Sequence, residues 1–179
     1  MKKIVFVMLI AALGITTVSA QFEKGTKTLS GNLTGLGLEF NKQTDGGGLD
    51  DQISFGIQAK GNYFVANKFA MMAALGFNYG KIHLDMYGGD NDDTYSSNTF
   101  SFEIGPRYYF WNCMYGSVSY LGSKAKRFDY QNWAKIGVGA TMYINDNVFF
   151  EPELYFKQGL GDSDIYSTLG LSIGVGVKF

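Results

Sequence analysis

Large apolar and small or polar residues alternate with a period of two along most of this chain, most plainly at its C-terminus. Leu169, Leu171, Ile173, Val175, Val177 and Phe179 are large and apolar, while Gly170, Ser172, Gly174, Gly176 and Lys178 between them are small or polar. Such alternation marks a strand with one oily face. The same pattern predicts seven more strands: about Thr28 to Phe40, Gln52 to Val65, Lys68 to Lys81, Thr99 to Phe110, Cys113 to Leu121, Trp133 to Ile144 and Asn147 to Lys157. Beyond Gly25 no stretch sustains the 3.6-residue apolar period of a helix. The connections alternate in length. Ala66-Asn67, Trp111-Asn112 and Asn145-Asp146 read as tight turns, whereas Asn41 to Asp51, Ile82 to Asn98, Gly122 to Asn132 and Gln158 to Tyr166 read as long links. Tight turns therefore gather at one pole of a meander and long loops at the other.

Closing eight antiparallel strands removes the sheet edges, and tilted strands of about ten residues suit the thickness of a bilayer. The predicted fold class is all-β, an eight-stranded antiparallel up-and-down transmembrane β-barrel. A soluble barrel around an apolar cavity is the competing form, and the charges separate the two. With large apolar side chains such as Ile57, Leu75, Phe102, Ile104, Ile136, Val138 and Leu154 placed outward, no charge falls on that face. The alternate positions carry Glu39, Lys60, Glu103, Arg107, Lys135, Glu151, Glu153, Lys157 and Lys178. A soluble barrel with that interior would lack an apolar core. Strand direction predicts two mixed-sign layers: Lys60, Arg107, Glu151, Glu153 and Lys178 toward the short turns, and Glu39, Glu103, Lys135 and Lys157 toward the long loops. Pairing across a narrow lumen would offset the desolvation of these groups. Structural fill is one reading of that network; a selectivity filter or proton path is the other. Gly76, Gly105, Gly137, Gly139, Gly174 and Gly176 are expected to make room for the Arg and Lys stems.

Three features fit less simply. The first strand changes parity between Leu33 and Leu36, which calls for a bulge near Thr34-Gly35. Pro106 and Pro152 fall inside strands that have no free edge, and each removes a ladder donor. A simple hairpin register also sets Lys135 beside Lys157, an unfavourable pair unless acids intervene.

At the N-terminus, Lys2 and Lys3 precede an apolar run from Ile4 to Ile15 and then Thr16-Thr17-Val18-Ser19-Ala20. This order predicts a secretory signal peptide over 1–20, cleaved after Ala20 and leaving the barrel domain as 21–179. The whole chain holds 15 Lys+Arg against 16 Asp+Glu in 179 residues. Without Lys2 and Lys3, 13 basic face 16 acidic residues, a formal charge of −3. That balance excludes a basic nucleic-acid binder. With one Cys and one His, neither an internal disulfide nor a His-rich metal site can form.

Aromatic residues gather at the segment ends. Tyr63, Phe69, Tyr108, Phe110, Trp111, Tyr143, Phe149 and Phe179 fall near the short turns, and Phe40, Tyr79, Phe100, Tyr130, Trp133, Tyr155 and Tyr166 near the long loops. Two such girdles are expected at the two membrane interfaces. Taken with the closing strand Gly170 to Phe179 and the stretch Phe149 to Phe156, the chain from Gly25 to Phe179 resembles the small outer-membrane β-barrel proteins of Gram-negative bacteria, similar to OmpX and the membrane domain of OmpA. The resemblance implies short turns in the periplasm and long loops outside. It also implies that Leu171, Ile173, Val175, Val177 and Phe179 form the signal read by the outer-membrane assembly machinery.

Little in the chain suggests catalysis. Some outer-membrane barrels are lipid A acyl-transfer or deacylation enzymes with a His and a Ser near the outer rim, but here His83 has only Ser96 and Ser97 as loop companions, without a nucleophile motif. Ten of the eleven Asp fall in the long connections, Asp45, Asp50, Asp51, Asp85, Asp90, Asp92, Asp93, Asp129, Asp162 and Asp164. Gly89-Asp90-Asn91-Asp92-Asp93 lacks the spaced Glu of an EF-hand loop, so solvated loop tips are the default and Ca²⁺ the minor alternative. Gly46-Gly47-Gly48 and Gly88-Gly89 lack the context of a phosphate loop. Cys113, at a short turn, is expected to be a buried or idle thiol rather than a nucleophile. The expectation is a non-enzymatic, cofactor-free monomer whose partners are outer-membrane lipids, the assembly machinery and an unknown extracellular partner of the loops, with no nucleic acid. A small porin is the alternative, and a secreted soluble lipid carrier a third.

Overall fold

The computed structural model describes residues 22–34, 54–84, 93–125, 130–161 and 167–179. The predicted signal peptide, Glu39, Phe40, the bulge at Gly35, both glycine runs, Tyr166 and the long-link aspartates other than Asp93 fall outside these residues. Among the described residues nine strands occur, in the order β1 (Lys27–Thr34), β2 (Ser54–Ala66), β3 (Phe69–Leu84), β4 (Asp93–Tyr109), β5 (Met114–Ala125), β6 (Gln131–Ala140), β7 (Met142–Tyr143), β8 (Val148–Leu160) and β9 (Ser167–Lys178). Each pairs antiparallel with its sequence neighbour or next neighbour. β9 returns to β1, and β6 and β7 both pair with β8, so the sheet closes on itself. It is an eight-stranded barrel in which β6 and β7 are two parts of one wall strand.

The break between those two parts has an identifiable cause. Gly139 faces Glu153 and Met142 faces Phe150, a single register that sets Ala140 opposite Pro152. Proline has no N–H to give, so the ladder lapses at this rung. The Thr141 N–H instead donates to the Cys113 carbonyl at 2.8 Å. Pro106 produces a matching gap between the Ile104↔Tyr120 and Arg107↔Ser117 rungs of β4 and β5. Both prolines are tolerated in a closed sheet because each gap spans only two rungs, Ala140/Pro152 with Thr141/Glu151 and Gly105/Ser119 with Pro106/Val118, before the same register resumes.

Several strands run further than their oily alternation. The predicted link from Ile82 to Asn98 is mostly ladder, since β3 and β4 remain paired out to Leu84↔Asp93. Above the apolar band a strand needs only main-chain hydrogen bonds, so side-chain patterning no longer reports it. β5 likewise continues to Ala125 and β8 to Leu160.

Burial decides which way the barrel faces. Among the described residues, 27 large hydrophobic side chains are exposed and 17 polar or charged residues are buried, against nine buried hydrophobics. A water-soluble fold has the opposite balance. Leu75, Ile104, Val118, Ile136, Leu154 and Val175 are each more than half exposed, which suits a surface solvated by lipid. Outside the wall, a shallow apolar groove of about 330 Å³ opens over Gly31 between Leu29, Ala59, Val148, Val175 and Val177. Tyr63, Tyr108, Phe110, Trp111 and Phe179 are exposed at the short-turn end, and Tyr79, Phe100 and Tyr130 at the other. Four expected girdle members are not on the surface bands. Phe149 and Trp133 are buried, Tyr155 lies beneath the Lys135 ammonium, and Tyr143 packs against Phe149. Phe149, Trp133 and Tyr155 share strand parity with Glu151, Lys135 and Glu153, and so turn inward with them.

Candidate functional site: a charged cluster in the barrel lumen

Six charged side chains from four strands meet inside the barrel: Lys60 on β2, Glu103 and Arg107 on β4, Lys135 on β6, and Glu151 and Glu153 on β8. None is more than 5% exposed. The period of two places Glu151 and Glu153 on the same face of β8, with Pro152 between them on the opposite face. Glu153 is the hub. Its carboxylate takes Lys60 Nζ at 3.0 Å, Arg107 Nη2 at 3.3 Å and Lys135 Nζ at 2.8 Å, and accepts the Tyr115 hydroxyl at 2.9 Å. Glu151 pairs with Arg107 Nη1 at 2.8 Å and Lys60 at 3.4 Å, and accepts the Thr141 hydroxyl at 3.1 Å. Glu103 pairs with Lys135 at 3.0 Å and accepts Ser119 Oγ at 2.6 Å and Gln58 Nε2 at 3.0 Å.

Three cations balance three carboxylates, so the cluster carries no net charge when all six are ionised. Burying these groups singly would cost several kcal/mol each, by order of magnitude, and mutual pairing with added hydrogen bonds offsets that penalty. The Arg107 guanidinium also lies 3.8 Å from the centre of the Tyr115 ring, where the ring face favours a cation.

The two expected layers are not separate: Lys60 and Arg107 pair with Glu151 and Glu153, and Lys135 with Glu103, but one bridge links the sets. Lys135 spans from Glu103 to Glu153 and joins the layers into one network, because its stem and the Glu153 side chain together bridge the gap between rungs. Lys135 and Lys157 do stand opposite each other, but their ammonium groups diverge. Lys135 turns to the two acids, and Lys157 lies 4.8 Å from the Trp133 ring centre. Lys178 is likewise outside the cluster, 5.6 Å from the Tyr143 ring. Glu39 falls outside the described residues.

The glycines serve a different purpose from the one expected. A Cβ on Gly139 would come within 2.5 Å of the Tyr115 ring and 2.7 Å of the Pro152 carbonyl. Gly139 is the cross-strand partner of Tyr115, so its missing side chain lets the ring lie across β6 and reach Glu153. At Gly137 a Cβ would meet Ser117 Oγ at 2.7 Å. The space serves neighbouring rings, hydroxyls and amides more than the basic stems. Gln58, Tyr109, Tyr115, Ser119 and Thr141 were absent from the sequence-derived site, although Gln58 shares parity with Lys60, and Tyr109 with Arg107.

On β9 the residues expected to form an assembly signal, Leu171, Ile173, Val175, Val177 and Phe179, alternate with buried Ser172, Gly174 and Gly176, with Phe179 at 72% exposure. His83 stands in the β3–β4 ladder opposite Thr94, two rungs from the Lys81↔Ser96 pair, while Ser97 pairs with Gly80; these residues are strand, not loop. Cys113, half-buried at a short turn, has its thiol pushed up by that burial. Among the described residues no group of His, Cys, Asp and Glu is arranged to hold a metal ion.

No family model matches the chain, and no curated relative is found. Solved structures do match. Ail, the attachment invasion locus protein of Yersinia pestis, in complex with the heparin analogue sucrose octasulfate, aligns over 87% of this chain and 99% of its own, with 15% identity and a TM-score of 0.57. The N-terminal β-barrel domain of Pseudomonas aeruginosa OprF aligns over 87% and 98%, with 16% identity and a TM-score of 0.52. This chain has the fold of the small outer-membrane β-barrels. The outer membrane protein OprG of Pseudomonas aeruginosa is similar at the same TM-score of 0.52, with 12% identity over 88% of this chain and 97% of its own. Within that fold the cluster joins four strands across the bore.

Proposed function

We propose that this chain is a non-enzymatic integral protein of the outer membrane, whose barrel is a sealed scaffold holding the long-loop end out for contact at the cell surface. One observation carries the reading: six side chains of opposing charge, all buried, cross-link β2, β4, β6 and β8 inside the bore. A conducting pore needs groups that bind ions weakly and leave them a wet path. Here each carboxylate is held by at least one cation and one neutral donor, which favours a rigid plug. The exposed apolar exterior supports lipid as the surrounding partner. The outward alternation on β9 supports Leu171, Ile173, Val175, Val177 and Phe179 as the segment that the assembly machinery reads. On this reading the short turns face the periplasm, and residues 1–20 serve as the export signal.

Purified protein in a planar bilayer tests the reading. The expected result is silence at applied potentials that open small pores. Stable unit conductance would overturn the sealed scaffold and establish the alternative, a small porin for ions or small solutes.

A further inference from the structure

Residues 22–26 fold under the short-turn mouth and place one ring inside it. Phe22 is 4% exposed. Its ring stacks on Tyr109 with centres 4.0 Å apart at 23°, and lies 5.7 Å from Phe64 and 6.2 Å from Tyr143. The anchors of this segment all lie on one side of the mouth. The Lys68 N–H donates to the Phe22 carbonyl at 2.8 Å, the Gly25 N–H to the Phe64 carbonyl at 2.8 Å, and the Lys24 N–H to Asn67 Oδ1 at 3.0 Å. The ring, by contrast, reaches across to β4 and β7. Gly25, at φ +93°, supplies a pivot that other residues adopt only with strain.

Behind the ring runs a polar chain into the lumen. The Tyr109 and Thr141 hydroxyls are hydrogen-bonded at 3.1 Å, Thr141 donates to Glu151 at 3.1 Å, and Glu151 holds Arg107 at 2.8 Å. Phe22 thus covers the outer face of the first member of a path that ends at the charged cluster.

We propose that residues 22–26 are a latch, with Phe22 closing the short-turn mouth, so that unseating the ring admits water and small solutes to Tyr109, Thr141 and Glu151 while the barrel wall stays folded. The segment precedes β1, and among the described residues its hydrogen bonds beyond itself reach only the end of β2 and the turn after it, which is the pattern of a locally openable element. The proposal deepens the sealed-barrel reading and rests on it for the closed bore above Glu151. The two have separate tests: conductance reads passage through the whole barrel, whereas the latch is read by access to its lower chamber.

The full chain carrying Cys113→Ser and Thr141→Cys, folded in detergent, would be treated with a small water-soluble methanethiosulfonate reagent. With Phe22 present, modification of the new thiol is slow. Adding Phe22→Ala accelerates it by about tenfold or more, as expected for an element that opens locally, and Phe22→Trp restores the slow rate. Equal rates with Phe and Ala at position 22 would overturn the latch. A Phe22→Ala chain that no longer folds into a heat-modifiable barrel would also overturn it, by making the segment part of the wall's own folding.

Discussion

Strands β8 and β9 are neighbours with the same number of inward rungs, and they use them in opposite ways. The inward side of β8 carries Phe149, Glu151, Glu153, Tyr155 and Lys157, while the facing rungs of β9 carry Gly176, Gly174, Ser172, Gly170 and Thr168. Each large residue stands opposite a small one. Outward, β9 is the oilier strand, with Leu169, Leu171, Ile173, Val175 and Val177. The difference shows how so narrow a bore holds six charges. One wall recedes to its backbone, and the space it gives up is filled by its neighbour's rings and carboxylates. β9 thereby presents a smooth apolar exterior, and β8 supplies the hub of the interior network.

Removing the hub breaks this contrast most severely. Glu153→Ala leaves Lys60, Lys135 and Arg107 competing for fewer acceptors. It should cost about 3–5 kcal/mol, the range for stranding a buried charge, seen as an earlier urea midpoint in detergent micelles with the slope unchanged. Filling the recessed wall is the converse test. A Cβ on Gly176 would sit 2.7 Å from the Leu29 carbonyl and press on the Phe149 ring, so Gly176→Val should destabilise by about 1–3 kcal/mol, the cost of overpacking, in the same titration. The smallest effect is expected where β9 bears a polar atom that it does not use. Ser172 Oγ is buried without a hydrogen-bond partner. Ser172→Ala should therefore shift stability by no more than about 0.5 kcal/mol and in the favourable direction, since it removes an unmet desolvation cost. A large loss from Ser172→Ala, or none from Glu153→Ala, would show that the two strands do not divide the work in this way.

Much of this was legible in residue order. Ile136 and Val138 against Lys135 and Gly137 reveal which face of β6 meets lipid, because side chains on a strand have only two directions. The parity of Trp133 with Lys135, and of Phe149 with Glu151, also placed those rings inside; grouping aromatics by their distance from the turns hid that signal. The extension of β3 and β4 past Lys81 was not legible, since main-chain pairing beyond the apolar band leaves no trace in side-chain pattern. Nor was Phe22, which precedes β1 and belongs to no alternating run.

Residue order by itself determined that the chain forms strands with an oily face and a charged face, and that tight turns gather at one pole. Both are short-range properties, set by the two-residue repeat and by turn chemistry. Only the closed barrel decided that Lys60 meets Glu153, that Lys135 ties Glu103 to β8, and that Pro152 splits one wall strand into β6 and β7. Those outcomes depend on register and on which strands face one another across the bore, quantities that arise when the sheet closes and that no local pattern encodes.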